Sequence, residues 1–385
     1  MKNLLKKDGA SSFVSALAAV VMGLIVGFLV LLVASPSNAL SGFGMIVTGG
    51  LSDMKNFGQV LYYATPIIMT GLSVAFANKT GLFNIGGAGQ YMVGAFVAVY
   101  IGVKWTFLPA GLHCLVAVLG AALAGALWGA VPGLMKAYCN VNEVISCIMM
   151  NYIGLNLVNL LVRQTIFNSA YNQSYQPADS AELPKMGFDK IFVAGATPSS
   201  VNAGIVVAIL IGIVMYVVIN RTKFGYELKA CGLNREAARY AGINEKRSIV
   251  LSMVIAGALA GIGGALYYLS GAGTGIAITE ELAAEGFNGI PVALLGMSNP
   301  IGAIFAGIFI SYLKVGGQAM QSLGLAPQII DIITSVIIYF AAFALFFRLL
   351  LARLGGGKDT SNANAEPADK QPDTPADDTA KGGNA

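Results

Sequence analysis

The chain of 385 residues is 56% hydrophobic and only 11% charged, with a mean hydropathy of +0.71 and a net charge of +4. A soluble globular domain carries about 25% charged residues, so this composition excludes a chain that folds mainly in water. The small net charge alone says little about partners, and nucleic acid is not among those we expect.

The first apolar stretch, Phe13–Ala34, contains no ionisable residue and is long enough to cross a bilayer as one helix. Lys2, Lys6 and Lys7 precede it, so the positive-inside rule predicts a cytoplasmic N-terminus. A cleavable signal peptide is the alternative, but its apolar core would span only about 7–15 residues. We therefore predict that this segment is retained as the first membrane span.

Further apolar stretches predict an all-α polytopic membrane protein whose transmembrane domain covers residues 1–354, with about ten helices, some of them broken. The predicted spans lie near residues 13–34, 60–77, 84–103, 109–135, 143–163, 201–219, 248–270, 280–298, 300–318 and 329–351. An even count agrees with basic residues after the last span, which predict a cytoplasmic C-terminus. The eighth span is the least regular, because three glutamates crowd its start and Pro291 interrupts it.

Two segments outside the spans differ from the rest in composition. Residues 164–200 form one long exterior loop of mixed polar and charged residues, and the sequence does not decide whether it folds into a cap or hairpin. From residue 355 to 385 the composition shifts to Ala, Asp, Pro, Lys and Asn, which predicts a disordered cytoplasmic tail.

Small residues recur at four-residue spacing on two of the spans, as is typical of helices that pack closely in membranes. The two small-residue ridges are Ala121, Gly125 and Gly129, and Gly257, Gly261 and Ala265. They lie in corresponding halves of the chain, which hints at an internal repeat.

The segment Thr80–Gln90 is rich in glycine and amides at the start of a span, where a plain lipid-facing helix is disfavoured. Irregular backbone at membrane depth is tolerated only when it is buried in protein or lines a wet cavity. The segment is therefore either a broken helix beside a translocation path or a site of close helix packing by glycine.

Polar side chains within the apolar spans are the next candidates. Glu143 and Asn151 are eight residues apart and share one face of a helix. An acidic group in a span usually faces the bundle interior or a cavity, but Glu143 also lies near Lys136, where it could sit at the cytoplasmic interface. The candidates for the translocation pathway are Asn84, Gly86, Gly87, Gly89, Gln90, Glu143, Asn151 and Asn288.

The loop at residues 220–247 is strongly basic and is predicted to be cytoplasmic. Asn234 is a good N-cap and Gly242 a good C-terminal stop, so a helix of about two turns is expected between them. Such a helix could dock into a groove on a partner, or the loop could serve only to set the topology.

Several motifs resemble the nucleoside permeases of ABC importers, within the wider branched-chain amino acid, ribose and nucleoside permease group. They are Gly81-Leu82-Phe83-Asn84-Ile85-Gly86 with Gly89-Gln90, Glu143-Val144-Ile145, Met149-Met150-Asn151-Tyr152, Gly225-Tyr226-Glu227-Leu228-Lys229-Ala230, Ala241-Gly242-Ile243 and Gly286-Phe287-Asn288-Gly289-Ile290-Pro291. The similarity runs in unbroken order from about residue 13 to 352. Pro291 is a departure, because relatives commonly carry alanine there.

The resemblance implies a type II-like permease fold in a cell-membrane complex of two permeases, often a heterodimer, with two cytoplasmic ATPase subunits and an extracellular substrate-binding lipoprotein. The predicted helix in the basic loop corresponds to the coupling helix that contacts the ATPase. Its residues are Asn234, Arg235, Glu236, Ala237, Ala238, Arg239 and Tyr240.

No Walker A motif is present, so this chain is expected to bind no cofactor, and ATP would be used by the partner ATPase. An ion-coupled secondary transporter is the alternative from another class, and it would show acidic and basic pairs at the midplane, where we expect mainly asparagines. A membrane enzyme is disfavoured because the chain has one histidine and no catalytic cluster. The substrate is predicted to be a nucleoside, with a simple sugar such as ribose as the alternative.

Overall fold

The computed structural model describes residues 8–324 together with 331–333, 335–336 and 339–340. This part of the chain is a bundle of α-helices with two small β-hairpins. The helices are α1 (Asp8–Ala34), α2 (Ala39–Thr48), α3 (Met54–Asn78), α4 (Gly87–Lys104), α5 (Leu112–Cys139), α6 (Glu143–Thr165), α7 (Phe188–Ile191), α8 (Gly204–Arg221), α9 (Lys223–Leu233), α10 (Arg235–Tyr240), α11 (Glu245–Tyr268), α12 (Ala284–Leu295) and α13 (Pro300–Ala319).

The predicted helical, membrane-spanning class is confirmed. Among the described residues, six helices are long and apolar enough to cross a membrane, namely α3, α5, α6, α8, α11 and the helix that begins with α13. The sequence did not predict α2, which lies between the first two spans. The tail at 355–385 lies outside the described residues, as does most of the predicted span at 329–351.

The long loop after α6 folds into two hairpins. Strands β1 (Phe167–Asn168) and β2 (Gln173–Ser174) pair antiparallel, and so do β3 (Val193–Ala194) and β4 (Thr197–Pro198). We call the end of the bundle formed by residues 166–203 the hairpin end, and the opposite end, formed by residues 222–247, the basic end. Helix α3 runs between them: Lys55 donates to Thr197 (3.1 Å), and Gly81, just beyond α3, lies against Gly232.

Helix α12 is shorter than the predicted span 280–298, and this is a correction. The backbone leaves α11 with positive φ at Gly271 and Gly273 and then pairs with the hairpin end, where Ser174 N donates to Ile276 O (2.9 Å). Helix formation starts only at Ala284. Twelve residues rise about 18 Å, which is roughly half of a bilayer core. The predicted eighth span is therefore part irregular backbone and part helix.

The half-helix α12 is wedged between α3 and α4. Thr70 Oγ1 of α3 donates to the carbonyl oxygen of Glu285 (2.9 Å). A Cβ added to Gly286 would lie 2.3 Å from Ala88 Cα, and one added to Gly289 would lie 2.5 Å from the carbonyl carbon of Thr70. Because backbone meets backbone on both sides, the start of α12 is held in a fixed position inside the bundle.

The two predicted small-residue ridges pack directly against each other, because α5 and α11 lie side by side. A Cβ added to Gly125 would lie 2.3 Å from the carbonyl oxygen of Gly257, and one added to Gly261 would lie 2.4 Å from that of Ala121. The ridges thus form one helix–helix contact, as the small-residue spacing predicts.

This contact leads to a stability prediction. Gly125→Ala forces α5 and α11 apart because its new Cβ meets fixed backbone atoms, and overpacking of this kind costs about 1–3 kcal/mol. We expect a lower midpoint of thermal unfolding for the purified protein in detergent. Gly44→Ala is the control, since nothing lies within 4 Å of its added Cβ. Equal midpoints for the two variants would contradict the close contact.

Candidate functional site

A cavity of about 420 Å³ opens at the hairpin end, between the first half of α3, the last turn of α11 and the last turns of α13. Its volume falls within the range of about 300–1,000 Å³ that is usual for small-molecule sites. Its lining is unusual for an apolar bundle, because it is mainly amide, hydroxyl and phenol groups. These residues are Asn56, Gln59, Tyr62, Tyr63, Ser200, Tyr267, Thr274 and Gln318.

Tyrosines form one wall of this cavity. The rings of Tyr62 on α3 and Tyr267 on α11 are stacked, with centroids 5.5 Å apart and planes 23° from parallel. Tyr63 lies against Tyr62 at 5.1 Å. The hydroxyls of Tyr62 and Ser270 share a hydrogen bond of 3.3 Å, which fixes the first ring. The wall therefore offers flat aromatic surface next to hydrogen-bonding groups.

An ion pair lies next to the tyrosine wall, against the ring of Tyr63. Lys314 Nζ on α13 is 3.0 Å from Glu285 Oε1 in the first turn of α12, and 4.8 Å from the ring centroid of Tyr63. The two side chains keep 27% and 17% of their exposure, so neither is sealed in the protein. A carboxylate at a helix N-terminus is stabilised by the helix dipole. The bundle thus holds a charged pair beside the cavity.

The sequence did not predict this pair, and the expectation that the bundle holds mainly asparagines is corrected. Glu285 and Lys314 belong to different helices, so no spacing rule connects them. A weaker indication was available, because Lys314 is a lone cation within the predicted span 300–318, and a charge in a span usually marks a functional site.

The predicted amides of the glycine-rich segment form a buried network and do not line the cavity. Asn84 Nδ2 donates to Gln90 Oε1 (2.8 Å), and Gln90 Nε2 donates back to Asn84 Oδ1 (3.2 Å). Asn151 of α6 accepts from Gly89 N (2.8 Å) and donates to Ile85 O (3.0 Å). These amides therefore satisfy an irregular backbone that starts α4 inside the bundle, as buried irregular backbone requires.

The glycines beside this network allow close packing. A Cβ added to Gly86 would lie 3.1 Å from Cys147 Sγ, and one added to Gly89 would lie 2.9 Å from Asn151 Cα. At Gly87 it would lie 3.1 Å from the carbonyl oxygen of Gly286. The first turn of α4 thus touches the first turn of α12. Glu285 of the ion pair belongs to that same turn of α12.

Two other predicted residues lie elsewhere. Glu143 forms an ion pair with Lys136 at 2.9 Å, near the basic end, and does not line the tyrosine cavity. Asn288 is half-buried on α12, close to one turn after Glu285, and does not line the cavity. His113 is buried, with Nδ1 2.9 Å from Ser180 Oγ and Nε2 2.9 Å from Ile101 O. In the described ranges no three or more His, Cys, Asp or Glu side chains are grouped as a metal ion would require.

The short helix predicted in the basic loop is confirmed as α10. Asn234 Oδ1 accepts from Ala237 N (3.0 Å) as the N-cap, and the positive φ of Gly242 ends the turn that follows. Tyr240 is 92% exposed, and Leu233, just before the helix, is 90% exposed. Both are large side chains exposed at the surface of the basic loop.

Ala238 requires a correction. It is among the residues predicted to contact the ATPase, but it is only 4% exposed and is buried against the chain itself. Its carbonyl oxygen accepts from Ile243 N at 3.0 Å. Ala237 and Arg239 do lie on the outside, and Arg235 is half-buried. Ala238 therefore anchors α10 to the rest of the loop.

The basic loop also touches the connection between α3 and α4. A Cβ added to Gly232 would lie 2.4 Å from Lys79 O, and one added to Gly81, which has φ +69°, would lie 3.2 Å from Gly232 O. Burial, and to a lesser degree the charge of Lys229, lowers the pKa of the Lys79 ammonium group. Backbone contact thus joins α9 to the chain that leads into the buried amide network.

Comparisons with known proteins match most of the chain. The family described as the branched-chain amino acid transport system permease component matches residues 56–342. A guanosine ABC transporter permease protein of Bacillus subtilis is 37% identical over 341 residues, which cover 88% of this chain and 95% of the relative. No solved structure matches.

Two further relatives cover similar lengths. A nucleoside ABC transporter permease protein of Lactococcus lactis is 32% identical over 88% of this chain and 92% of its own. A glucose ABC transporter permease protein of Haloferax volcanii is 31% identical over 88% and 89%. The prediction that the chain is a transport subunit rather than an enzyme is confirmed by these relatives, and the chain belongs to the family of branched-chain amino acid transport system permease components.

Proposed function

We propose that this chain is the membrane-spanning permease subunit of an ATP-driven importer for nucleosides, and that the tyrosine-lined cavity receives the nucleoside. The cavity is the observation that carries the proposal. A nucleobase is flat and stacks on aromatic side chains, each such contact being worth about 1–3 kcal/mol. The amides of Asn56, Gln59 and Gln318 can hydrogen-bond the ribose hydroxyls. The resemblance to guanosine and nucleoside permeases supports the same substrate.

The proposed topology has the basic end in the cytoplasm and the hairpin end outside. Seven Lys and Arg residues between 221 and 247 support this orientation through the positive-inside rule. Ten crossings would comprise α1, α3, α4, α5, α6, α8, α11, the segment 271–295, α13 and residues 329–351. The irregular half of segment 271–295 is compatible with a crossing because it lies against protein rather than lipid.

The proposed partners follow from the two ends of the bundle. An extracellular substrate-binding lipoprotein would deliver the nucleoside at the hairpin end, where the cavity opens. Two ATPase subunits would bind at the basic end and use ATP, for which this chain has no site of its own. A second permease would complete the pathway as a heterodimer, since Bacillus subtilis and Lactococcus lactis each have a second similar permease named for guanosine or nucleosides.

The coupling route proposed here runs through backbone contacts. The ATPase would bind the exposed Leu233 and Tyr240 beside and on α10. Gly232, next to Leu233, presses on Lys79 and Gly81. That connection leads to the buried amides that hold the start of α4, so a movement of α10 would reach the first turns of α4 and α12.

The test is uptake by the reconstituted complex of both permeases, ATPase and binding protein in proteoliposomes. We expect ATP-dependent uptake of labelled guanosine and little uptake of ribose or glucose. Tyr267→Ala should reduce guanosine uptake about tenfold or more, because it removes half of the stacked pair. Tyr171→Ala is the matched control, since Tyr171 is an exposed tyrosine at the same end.

Three outcomes would contradict the proposal. Uptake of a sugar without uptake of any nucleoside would favour the simple-sugar alternative, which the glucose relative supports. Uptake that follows an ion gradient without ATP would favour a secondary transporter, for which the Glu285–Lys314 pair would be the coupling site. Equal guanosine uptake by the Tyr267 and Tyr171 variants would mean that the cavity is not part of the transport pathway.

A further inference from the structure

The Glu285–Lys314 pair has more hydrogen-bonding capacity than its neighbours use. A carboxylate has about four acceptor positions, and an ammonium group has three donors. In the part of the chain that the structure describes, the two side chains hydrogen-bond each other at 3.0 Å, and the ammonium group also faces the ring of Tyr63. Both side chains keep some exposure. An ion pair within a bundle is costly unless further hydrogen bonds complete it, so this pair is incomplete without water or a ligand.

The pair borders the cavity. Lys314 precedes Val315 and lies four residues before Gln318, and both of these residues line the cavity. The ring beneath the Lys314 ammonium group belongs to Tyr63, which also lines it. The charged groups are not themselves lining residues but lie directly beside the cavity, against the Tyr63 ring, and a base stacked on the tyrosine wall would direct one edge toward them.

The position of the carboxylate is fixed by packing. The backbone of Glu285 is held by Thr70 Oγ1, and the next residue, Gly286, is pressed against Ala88. A group whose supporting backbone is locked in this way is preorganised to recognise a ligand.

We propose that Glu285 and Lys314 recognise the hydrogen-bonding edge of a 6-oxopurine nucleoside such as guanosine or inosine. On this edge the N1–H donor and the O6 acceptor are adjacent. The Glu285 carboxylate accepts from N1–H, and in guanosine also from the exocyclic amino group. The Lys314 ammonium group donates to O6. The inference rests on the proposed function, because it takes the cavity to be the nucleoside site.

The experiment measures the ratio of inosine uptake to 1-methylinosine uptake rather than either rate alone. Inosine and 1-methylinosine differ at the N1 position, where the methyl group removes the donor. Their relative uptake is measured in proteoliposomes for the parent complex and for the double variant Glu285→Met with Lys314→Met. The same binding protein serves both complexes, so its own selectivity cancels when the two preferences are compared. A hydrogen bond to a charged group corresponds to about a tenfold preference or more.

We expect the parent to prefer inosine and the double methionine variant to lose about tenfold of that preference. An unchanged preference in this variant would overturn the inference. Removing both charges together avoids leaving one of them unpaired, which protects folding. Co-purification with the ATPase checks that the variant assembles.

The charge swap Glu285→Lys with Lys314→Glu separates recognition from stability. It keeps an ion pair between α12 and α13 but exchanges the positions of donor and acceptor. We expect it to assemble and still to lose the preference for inosine. A swap that restores both the parental uptake and the parental preference would show that the pair only ties the two helices together. The swap decides the question alone if the methionine variant does not assemble.

This design distinguishes the inference from the proposed function. If the parent complex takes up no nucleoside, the proposed function fails before the preference is measured. If the parent takes up inosine and the swap keeps its preference, nucleoside import stands and only the role of the ion pair is lost.

Discussion

Replacing Gly87 by leucine should abolish nucleoside uptake while leaving the permease assembled with its ATPase. A Cβ at this position would already lie 3.1 Å from the carbonyl oxygen of Gly286, and the larger leucine side chain must push the start of α12 aside. Overpacking costs about 1–3 kcal/mol, which a large bundle tolerates. The displaced turn carries Glu285, so the ion pair beside the cavity moves with it. Uptake and co-purification with the ATPase are measured together.

Gly44→Leu is the matched control, since Gly44 lies on α2 with nothing within 4 Å of its added Cβ. It should transport like the parent. Normal uptake by the Gly87 variant would mean that the contact between α4 and α12 is simple packing. Loss of both uptake and assembly would mean that the contact is needed for folding rather than for the pathway.

Most of the spans could be predicted because apolar length is a local property of the chain. The predicted fifth span, 143–163, matches α6, and the ninth, 300–318, matches α13. In the structure Asn142 and Asn299 cap the starts of these helices. The predicted second span began at residue 60, six residues late. The residues it left out include Asn56 and Gln59, whose amides line the cavity. The first turns of α3 are polar because their amides line the cavity, and this polarity hides the start of the helix from a search for apolar spans.

The half-helix shows a second reason why prediction was incomplete. Three glutamates and Pro291 indicated that the eighth span is irregular, but the sequence did not show where its helix starts. That start depends on Ser174 and other residues of the hairpin end, which pair with residues 276–278 from about a hundred positions away in the chain. Pairing across such a distance leaves no periodic pattern, and the same holds for Glu285 and Lys314.

For the glycine-rich segment Thr80–Gln90, the sequence predicted irregular backbone but not which groups its amides would contact. Its glycines and amides indicated irregular backbone inside the bundle, and the structure has that backbone before α4. The partners of the amides could not be predicted, because Asn84 pairs with Gln90 across a turn and Gly89 with Asn151 of another helix. Whether the segment borders the pathway in other states of the transport cycle stays a prediction, which the Gly87 variant tests.

Replacing both Leu233 and Tyr240 by alanine should release the ATPase from the permease or leave its activity unstimulated. Both side chains are about nine-tenths exposed, next to the capped helix α10. Large apolar residues at the centre of an interface commonly cost about 2 kcal/mol or more when truncated, which corresponds to weaker binding by more than tenfold. Arg239→Ala should have a much smaller effect, because exposed charge pairs contribute little. Co-purification and stimulated ATPase activity are the measurements.

Tyr171→Ala serves as the control, because it removes an exposed tyrosine from the opposite end of the bundle. Ala238→Trp is a poor probe of docking, since Ala238 is buried and a tryptophan there would displace α10 from the chain itself. If the double alanine variant binds and stimulates the ATPase like the parent, α10 has no coupling role and the basic loop serves only to orient the chain in the membrane. If Arg239→Ala alone dissociates the ATPase, charge rather than apolar contact holds the two subunits together.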